Sequence, residues 1–188
     1  RDQVNADYVV TSGHGLLPPA VRETLDTAGI ASAGVRSGNV HVLGSNQTLT
    51  GVAPDDLAAF WHLTWADGSP DGLASLDDSS AIVASDFADE HDLAPGSALS
   101  ILTPTGATLD LTVTGVYDAP GLAPLLGAVT TTTQRFDRGF ATPGDAAVYV
   151  DIGQPDADGG SAITDVLRGF TTAEVLTLDE FIGTQSTS

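Results

Sequence analysis

The histidines are the side chains of this chain best suited to bind a metal or move a proton near neutral pH. They are His14, His41, His62 and His91, and they lie 21 to 29 residues apart. Zinc sites commonly take ligands from much shorter spacings, such as two histidines one helical turn apart. We therefore expect isolated surface or half-buried histidines. Their convergence beside carboxylates in one pocket would instead indicate an enzyme.

Two acidic motifs carry weaker chemical signals. Asp26-Thr27-Ala28-Gly29 differs from the Asp-Thr-Gly of aspartic proteases by an inserted alanine and has no second copy, so it is interpreted as a helix end. Asp156-Ala157-Asp158-Gly159-Gly160 contains two of the oxygen ligands of a calcium loop but lacks a third ligand and the closing glutamate. It is interpreted as an acidic turn before a helix, and whether it binds an ion stays open.

Composition excludes several other kinds of chemistry. The 188 residues include no cysteine, so disulfides, thiolate nucleophiles and cysteine-bound metals are excluded. All six basic residues are arginines, so the lysine-dependent phosphate loop of ATPases is absent. The Gly-x-Ser-x-Gly elbow of hydrolases is also missing. We predict a protein that is not an enzyme and has no cofactor.

The charge balance is strongly acidic. The chain has 25 aspartates and glutamates and a formal net charge of −19. Such a surface repels phosphate backbones and disfavours docking on anionic lipid through a basic patch. Nucleic acid is therefore excluded as a partner.

Aromatic residues provide the best candidate for a binding surface. A helix is predicted to begin at Pro54 and to place Trp61 and Trp65 on one face, with Phe60 beside them. Packing in the core is the default interpretation of such a stripe. Because aromatic side chains dominate recognition surfaces, Phe60, Trp61 and Trp65 are also the candidate binding residues.

The elements around these residues form an ordered pattern. Near the start, a strand over 7–11, a helix after Pro18 that ends at Gly29, and strands near residues 35 and 40–43 are predicted. Near the end, a strand over 146–150, a helix over 161–168 and a strand over 174–178 are predicted. Between them, segment 80–117 is interpreted as a strand, a short helix, a Pro95-Gly96 turn and a two-stranded ribbon. A strand over 125–131 and a helix over 132–139 follow it.

Four short motifs together resemble a known family. The motifs are Ala6-Asp7-Tyr8-Val9-Val10, Gly51-Val52-Ala53-Pro54, Ala81-Ile82-Val83-Ala84-Ser85 with Ala88, Leu93 and Gly96 after it, and Val113-Thr114-Gly115-Val116-Tyr117. In order and spacing they resemble the extracytoplasmic (MacB-like periplasmic core) domain of an FtsX-like ABC-transporter permease of actinobacterial type. This sequence departs from the family pattern at Ala53 and Ser97, where aspartate is usual.

This resemblance implies an α+β fold with two lobes. Residues 1–50 and 125–188 would form one discontinuous, porter-like α/β lobe from the strand-helix-strand units at both chain ends. Residues 51–124 would form an inserted β-rich lobe with the aromatic helix.

The resemblance also implies a location and partners. The domain would lie on the extracytoplasmic side of the cell membrane, between transmembrane helices of the same permease, with a separate cytoplasmic ATPase. A second permease copy, an extracellular protein or a lipid would be further partners. The implied function is non-catalytic coupling of ATP-driven transmembrane motion to an external substrate or partner. The alternative is a free-standing extracellular module that binds carbohydrate or peptide; apolar segments of about 20 residues beside this chain would favour the permease.

Overall fold

The computed structural model describes residues 6–13, 15–61, 64–67, 76–118, 126–140, 144–152 and 157–186. The chain divides into two compact units. We call residues 1–35, 59–62 and 144–188 the terminal unit, and residues 36–58 and 63–143 the barrel unit. Within the described ranges, every helix is too short or too polar to cross a membrane.

The terminal unit is a four-stranded antiparallel sheet with helices. Its elements are β1 (Tyr8–Ser12), α1 (Ala20–Thr27), the first part of β2 (Ala31–Val42), β9 (Ala147–Asp151), α5 (Ala157–Val166), β10 (Ala173–Thr177) and α6 (Leu178–Ser186). The strand order is β10-β1-β9-β2, and every neighbouring pair is antiparallel. Two strand-helix-strand units interleave in this order, which is the split βαβ arrangement of ferredoxin-like sheets. The predicted units at both chain ends are confirmed.

Helices α1 and α5 cover one face of this sheet. Val21 and Leu25 lie one helical turn apart on α1 and are fully buried, as is Ile163 on α5. They pack with Val10 and Val148 from the two central strands. Helix α1 ends as the sequence predicted, because Gly29 adopts φ +77° and its amide donates to the Asp26 carbonyl.

The barrel unit contains the remaining elements. They are the second part of β2, β3 (Ser45–Gly51), α2 (Pro54–Phe60, whose last residues belong to the terminal unit), β4 (Thr64–Asp67), β5 (Ser80–Ala84), α3 (Ser85–His91), β6 (Ala98–Leu102), β7 (Thr108–Asp118), β8 (Val129–Thr131) and α4 (Thr133–Arg138). The ribbon predicted from segment 80–117 and the helix predicted over 132–139 are confirmed.

Six of these strands form a closed ring. The pairing runs β2-β3-β8-β5-β7-β6 and returns to β2, where His41 and Val42 pair with Leu102 and Ile101. Pairs β3–β8 and β5–β7 are parallel, and the other four are antiparallel. Closure leaves these six strands without a free edge, which stabilises a small sheet. Strand β4 pairs with the end of β7 outside the ring.

Alternating apolar residues fill the interior of the barrel. They include Val40 and Val42 of β2, Leu49 of β3, Leu99 and Ile101 of β6, and Leu109, Leu111 and Val113 of β7. The intervening residues of β6 and of the first half of β7 are exposed. The ribbon therefore has one solvent-exposed face and one buried face, as the sequence predicts.

Helix α4 packs against the barrel through two stacked phenylalanines. The rings of Phe136 and Phe140 lie 4.1 Å apart and nearly parallel. They contact Gly38 of β2 and Gly51 of β3, and a β-carbon on Gly51 would lie 2.6 Å from Cβ of Phe136. Glycine at these positions therefore makes room for the helix.

Two predictions about the middle of the chain are wrong. Helix α2 ends at Phe60, and Trp65 lies in strand β4 opposite Tyr117, so Trp61 and Trp65 do not share a helix face. The reason is long-range pairing, because β4 gains a ladder with β7 that the local pattern does not reveal. The predicted lobe boundaries near residues 50 and 125 also differ from the unit boundaries at 35/36 and 143/144. Residues 36–50 and 126–140 belong to the barrel unit, since they supply β2, β3, β8 and α4 to the barrel.

Candidate functional site

The predicted aromatic surface is largely buried. Phe60 and Trp61 are 5% and 4% exposed, and the Trp61 ring lies 5.0 Å from that of Tyr149 in the terminal unit. Tyr149 in turn packs edge-on against Phe181. Trp65 is partly exposed, and its indole covers Gly115 of β7. The default interpretation as core packing fits Phe60 and Trp61, and a binding role stays a prediction for Trp65.

The described histidines lie in separate local environments. The His41 Nδ1 atom lies 3.2 Å from the Asn46 side-chain oxygen across the β2–β3 hairpin. The His91 ring packs 4.6 Å from Phe87 on α3. His14 and His62 lie outside the described residues.

The metal-site hypothesis has no further support in the part of the chain that the structure describes. No group of three histidines, aspartates or glutamates there could hold a metal ion. Asp156 and the side chain of Asp158 lie outside that part, so ion binding by the acidic loop stays a prediction.

A cleft of about 620 Å³ in the barrel unit is the best candidate for a binding site. Three short segments line it: residues 53–54 at the start of α2, residues 76–79 before β5, and residues 132–135 at the start of α4, together with Arg138. They are distant in sequence, so only the fold brings them together. We call this the Arg135 cleft.

The parallel strand pair positions the Arg135 cleft. Strands β3 and β8 run side by side and end together, with Gly51 opposite Thr131. Strand β5 is antiparallel to β8 and therefore begins at the same edge. The Val52 amide donates to the Thr131 carbonyl, and the Thr131 hydroxyl donates to the Ser80 carbonyl, 3.0 Å in each case. Crevices outside the carboxyl ends of parallel strands are common ligand sites.

Both carboxylates of the Arg135 cleft already have hydrogen-bond donors. The Asp77 carboxylate accepts from the Ser79 hydroxyl at 2.8 Å and from the Ser79 amide at 2.9 Å. These bonds hold the pKa of Asp77 below its usual value, so it is ionised near neutral pH. The Asp78 carboxylate accepts from the Thr132 hydroxyl at 2.9 Å and lies 3.7 Å from the Arg138 guanidinium.

Arg135 differs from these groups because its guanidinium has no acceptor in the described structure. Its backbone amide donates to the Thr132 hydroxyl at 3.2 Å. Its side-chain Nε atom is buried and makes no hydrogen bond to a described residue. A buried donor that lacks an acceptor costs about 1–3 kcal/mol relative to one that has an acceptor. The Arg135 cleft therefore contains a cationic side chain for which the described residues supply no acceptor.

A second, smaller cleft of about 420 Å³ lies in the terminal unit beside Tyr8 and α5. Its polar groups are satisfied by their neighbours. The Thr164 hydroxyl donates to the Gly160 carbonyl at 2.9 Å, and the Glu180 carboxylate accepts from the Thr177 amide at 2.9 Å. This cleft offers a ligand fewer unused donors, so the Arg135 cleft is the better candidate.

Sequence reasoning missed the Arg135 cleft. The one local signal was the close spacing of Arg135 and Arg138 after Thr132 and Thr133, in a chain with only six basic residues. Such a pair is usually a solvated helix face. Only the parallel pairing of β3 with β8 shows that a cleft forms beside it.

The comparisons with known proteins identify the fold. No protein-family model matches the chain, and no curated protein matches it in sequence. The extracellular domain of the noncanonic ABC-type transporter YknZ from Gram-positive bacteria is similar in structure, with TM-score 0.60 and 14% identity over 91% of this chain and 98% of that one. The periplasmic region of MacB from Actinobacillus actinomycetemcomitans gives TM-score 0.59 and 11% identity over 100% and 96%. This chain therefore has the α+β fold of extracytoplasmic domains of ABC-type transporter permeases, as its sequence motifs predicted.

Proposed function

We propose that this chain is the extracytoplasmic domain of an ABC-transporter permease, where it couples ATP-driven membrane motion to an external substrate or partner. The observation that carries the proposal is the extent of the structural likeness. It covers at least 91% of this chain and at least 96% of each of the two transporter domains, so one whole domain corresponds to another.

The connectivity of the terminal unit supports this role. Strand β1 near the start of the chain pairs with β10 near its end, and Tyr8 lies opposite Thr177. Membrane segments attached before β1 and after α6 would thus both connect to this sheet. Their relative movement would act directly on this one sheet, which is the geometry that a mechanical coupling element needs.

The chemistry of the Arg135 cleft favours binding over catalysis. A carboxyl group needs a raised pKa to act as a general acid near neutral pH. The pKa of Asp77 is instead lowered by its hydrogen bonds with Ser79. The domain is accordingly proposed to be non-catalytic, and its partners to be membrane helices of the same permease, a cytoplasmic ATPase, and an extracellular protein or lipid.

Cysteine labelling of the complete natural protein in intact cells tests the location. The chain has no cysteine of its own, so an introduced thiol adds one labelling position to it, and the unsubstituted protein gives the background. Asn39→Cys is suitable because Asn39 is exposed on β2. We expect a membrane-impermeant maleimide to label it in unbroken cells and the protein to sediment with membranes. Ala33→Cys is the matched control, because Ala33 is fully buried and should react only after denaturation.

Three results would contradict the proposed membrane location or the fold on which it rests. Labelling of Asn39→Cys only after lysis would exclude an extracytoplasmic domain. Recovery of the protein in the soluble extracellular fraction would favour the free-standing binding module. Equal labelling of Asn39→Cys and Ala33→Cys in intact cells would show that the domain does not have this fold.

Coupling is tested separately in proteoliposomes that contain the permease and its ATPase. An environment-sensitive fluorophore, attached to the thiol that Asn39→Cys introduces, should change its emission when ATP is hydrolysed. The same preparation with an ATPase that cannot hydrolyse ATP should show no change. An emission that stays unchanged while the active ATPase hydrolyses ATP would contradict the coupling role. It would not contradict the extracytoplasmic location.

A further inference from the structure

We infer that the Arg135 cleft is a binding site for an oxyanion, the carboxylate or phosphate group of a small ligand. The inference concerns the barrel unit alone. It does not rest on the transporter proposal and would hold for a free-standing module as well.

Arg135 differs from the other arginines of the described chain. Four of the five have a hydrogen-bond acceptor or an ion-pair partner for the side chain, and Arg135 is the exception. The four pairings are Arg22 with the Ser32 carbonyl at 3.0 Å, Arg36 with Asp137 at 3.0 Å, Arg138 with Asp78 at 3.7 Å, and Arg168 with Asp165 at 2.7 Å. In a chain with 25 acidic residues, a cation that faces a cleft without a carboxylate partner is unexpected unless a ligand supplies the anion.

The acidic residues of the cleft do not pair with Arg135. Asp77 is held by Ser79, and Asp78 is held by Thr132 and Arg138. Each carboxylate is therefore oriented by other donors. The guanidinium of Arg135 remains available for a ligand.

Further hydrogen-bond donors lie beside Arg135. Thr133 and Gln134 line the same cleft, and within the described ranges neither side chain makes a hydrogen bond. A guanidinium presents a planar fork of N–H donors that fits a carboxylate or phosphate, and a hydroxyl and an amide add further donors. Together they match the acceptor-rich surface of an oxyanion.

The size and walls of the cleft limit the rest of the ligand. A volume of about 620 Å³ lies within the range of small-molecule sites, which is roughly 300–1,000 Å³. Ala53, Pro54 and the buried Leu76 provide an apolar wall. The expected ligand is thus a small molecule or terminal group with an anionic head and a short apolar part.

The net charge of −19 repels anions at long range, but this repulsion does not prevent binding at contact distance. At physiological ionic strength such fields are screened over about 8 Å. Charge-assisted hydrogen bonds at contact distance are screened much less when they are partly buried. The Arg135 side chain is half-buried, so a contact with its guanidinium lies in this short-range regime.

Nuclear magnetic resonance titration of the full chain tests the inference. Isotope-labelled protein is titrated with sodium phosphate and, separately, with sodium succinate, with ionic strength held constant by sodium chloride. We expect saturable shifts in the amides of residues 53–54, 76–79 and 132–138 and in the Arg135 Nε–H signal. Arg135→Gln should raise the apparent Kd at least about tenfold, since charge-assisted hydrogen bonds are lost.

Arg168→Gln is the matched control. It removes the same charge from an exposed arginine in the terminal unit, so it should leave the Kd within about twofold of the starting chain. Arg135→Lys keeps the charge without the planar fork and should bind with intermediate affinity. It also tests the site if Arg135→Gln proves unstable.

The outcomes are decisive in each direction. Saturation by phosphate alone or by succinate alone supports the site and identifies its preferred oxyanion. Equal effects of Arg135→Gln and Arg168→Gln, or the same shifts with chloride alone, would indicate an adventitious ion only and overturn the proposal. A spectrum unchanged at millimolar concentrations of both anions would overturn it as well.

Discussion

The indole ring of Trp65 lies directly against Gly115, so that a β-carbon on Gly115 would be only 2.5 Å from Cζ3 of the tryptophan. This contact lies where β4 joins β7, with Trp65 opposite Tyr117 in the ladder. Gly115 also belongs to the Val113–Tyr117 motif that resembles transporter domains. The glycine of that motif thus has a packing role in this chain.

Gly115→Ala is expected to destabilise the chain by about 1–3 kcal/mol, the usual cost of overpacking a well-filled site. Urea denaturation followed by circular dichroism measures the change. Gly169→Ala is the control, because a β-carbon added there would meet no heavy atom within 4 Å and the φ of Gly169 is not positive. The packing account is wrong if both substitutions change the free energy of unfolding equally.

Trp65→Leu should rescue Gly115→Ala, because the smaller side chain vacates the space that the new methyl group needs. The double variant should be more stable than additivity of the two single variants predicts. A double-mutant cycle in urea measures this coupling free energy. Strict additivity would show that Trp65 is not the group that excludes a β-carbon at Gly115.

Leu43→Asn is expected to stabilise the chain by about 0.5–1 kcal/mol, because Leu43 occupies a strained turn position. Leu43 and Gly44 form the two-residue turn between β2 and β3, with φ of +49° and +83°. Asparagine tolerates this left-handed conformation better than leucine, and it is favoured in such hairpin turns. Leu43 is 46% exposed, so little buried area is lost. The thermal midpoint and urea denaturation measure the gain.

Leu102→Asn is the matched control for that substitution. Leu102 is also 46% exposed but lies at the end of strand β6 and has a negative φ. We expect no gain in the thermal midpoint, because asparagine is disfavoured in strands. A gain of the same size at both positions would assign the effect to reduced surface hydrophobicity and contradict the turn argument.

The secondary structure with local signals was predictable, and the long-range pairing was not. The spacing of Val21 and Leu25 predicts a buried helix face, and Gly29 predicts the end of that helix. Each of these signals is local, because it depends on residues within about one helical turn. By contrast, Trp65 follows helix α2 by only five residues, and only its pairing with Tyr117 shows that it lies in a strand. Sheet pairing across 52 residues has no local sequence signal.

The candidate site was unpredictable for the same reason. Arg135 lies in a short helix whose sequence resembles an ordinary solvated surface. Its importance comes from Asp77 and Leu76, which lie almost sixty residues earlier and reach the cleft through the β5–β8 pairing. The aromatic residues were predictable in part, because the default interpretation of core packing fits the buried Phe60 and Trp61, whereas the strand position of Trp65 was missed.

Tyr117→Phe is expected to cost about 0.5–1.5 kcal/mol of stability, because it removes a partly buried hydrogen bond. The Tyr117 hydroxyl donates to the Gly127 carbonyl at 2.5 Å, so the substitution leaves that carbonyl without this donor. The free energy of unfolding in urea at pH 7 measures the loss. Tyr149→Phe, at an equally buried tyrosine, serves as the comparison for loss of a hydroxyl alone. A neutral result at Tyr117 would contradict the role of this hydrogen bond.

The same two tyrosines should control stability at alkaline pH. Burial raises the pKa of Tyr117 and of Tyr149 above the ordinary value of about 10. The folded chain therefore keeps protons that the unfolded chain releases. Stability is fully present below pH 10 and falls as the pH rises beyond it, by up to about 1.4 kcal/mol per pH unit for each tyrosine.

This chain is well suited to that measurement because it contains no lysine and no cysteine, whose titration would otherwise overlap. Urea denaturation at intervals between about pH 9 and pH 11.5 should show the decline. Tyr117→Phe and Tyr149→Phe should each remove about half of the slope, and the double variant should remove nearly all of it. A slope that both single variants leave unchanged would show that the two phenols do not stay protonated in the folded state.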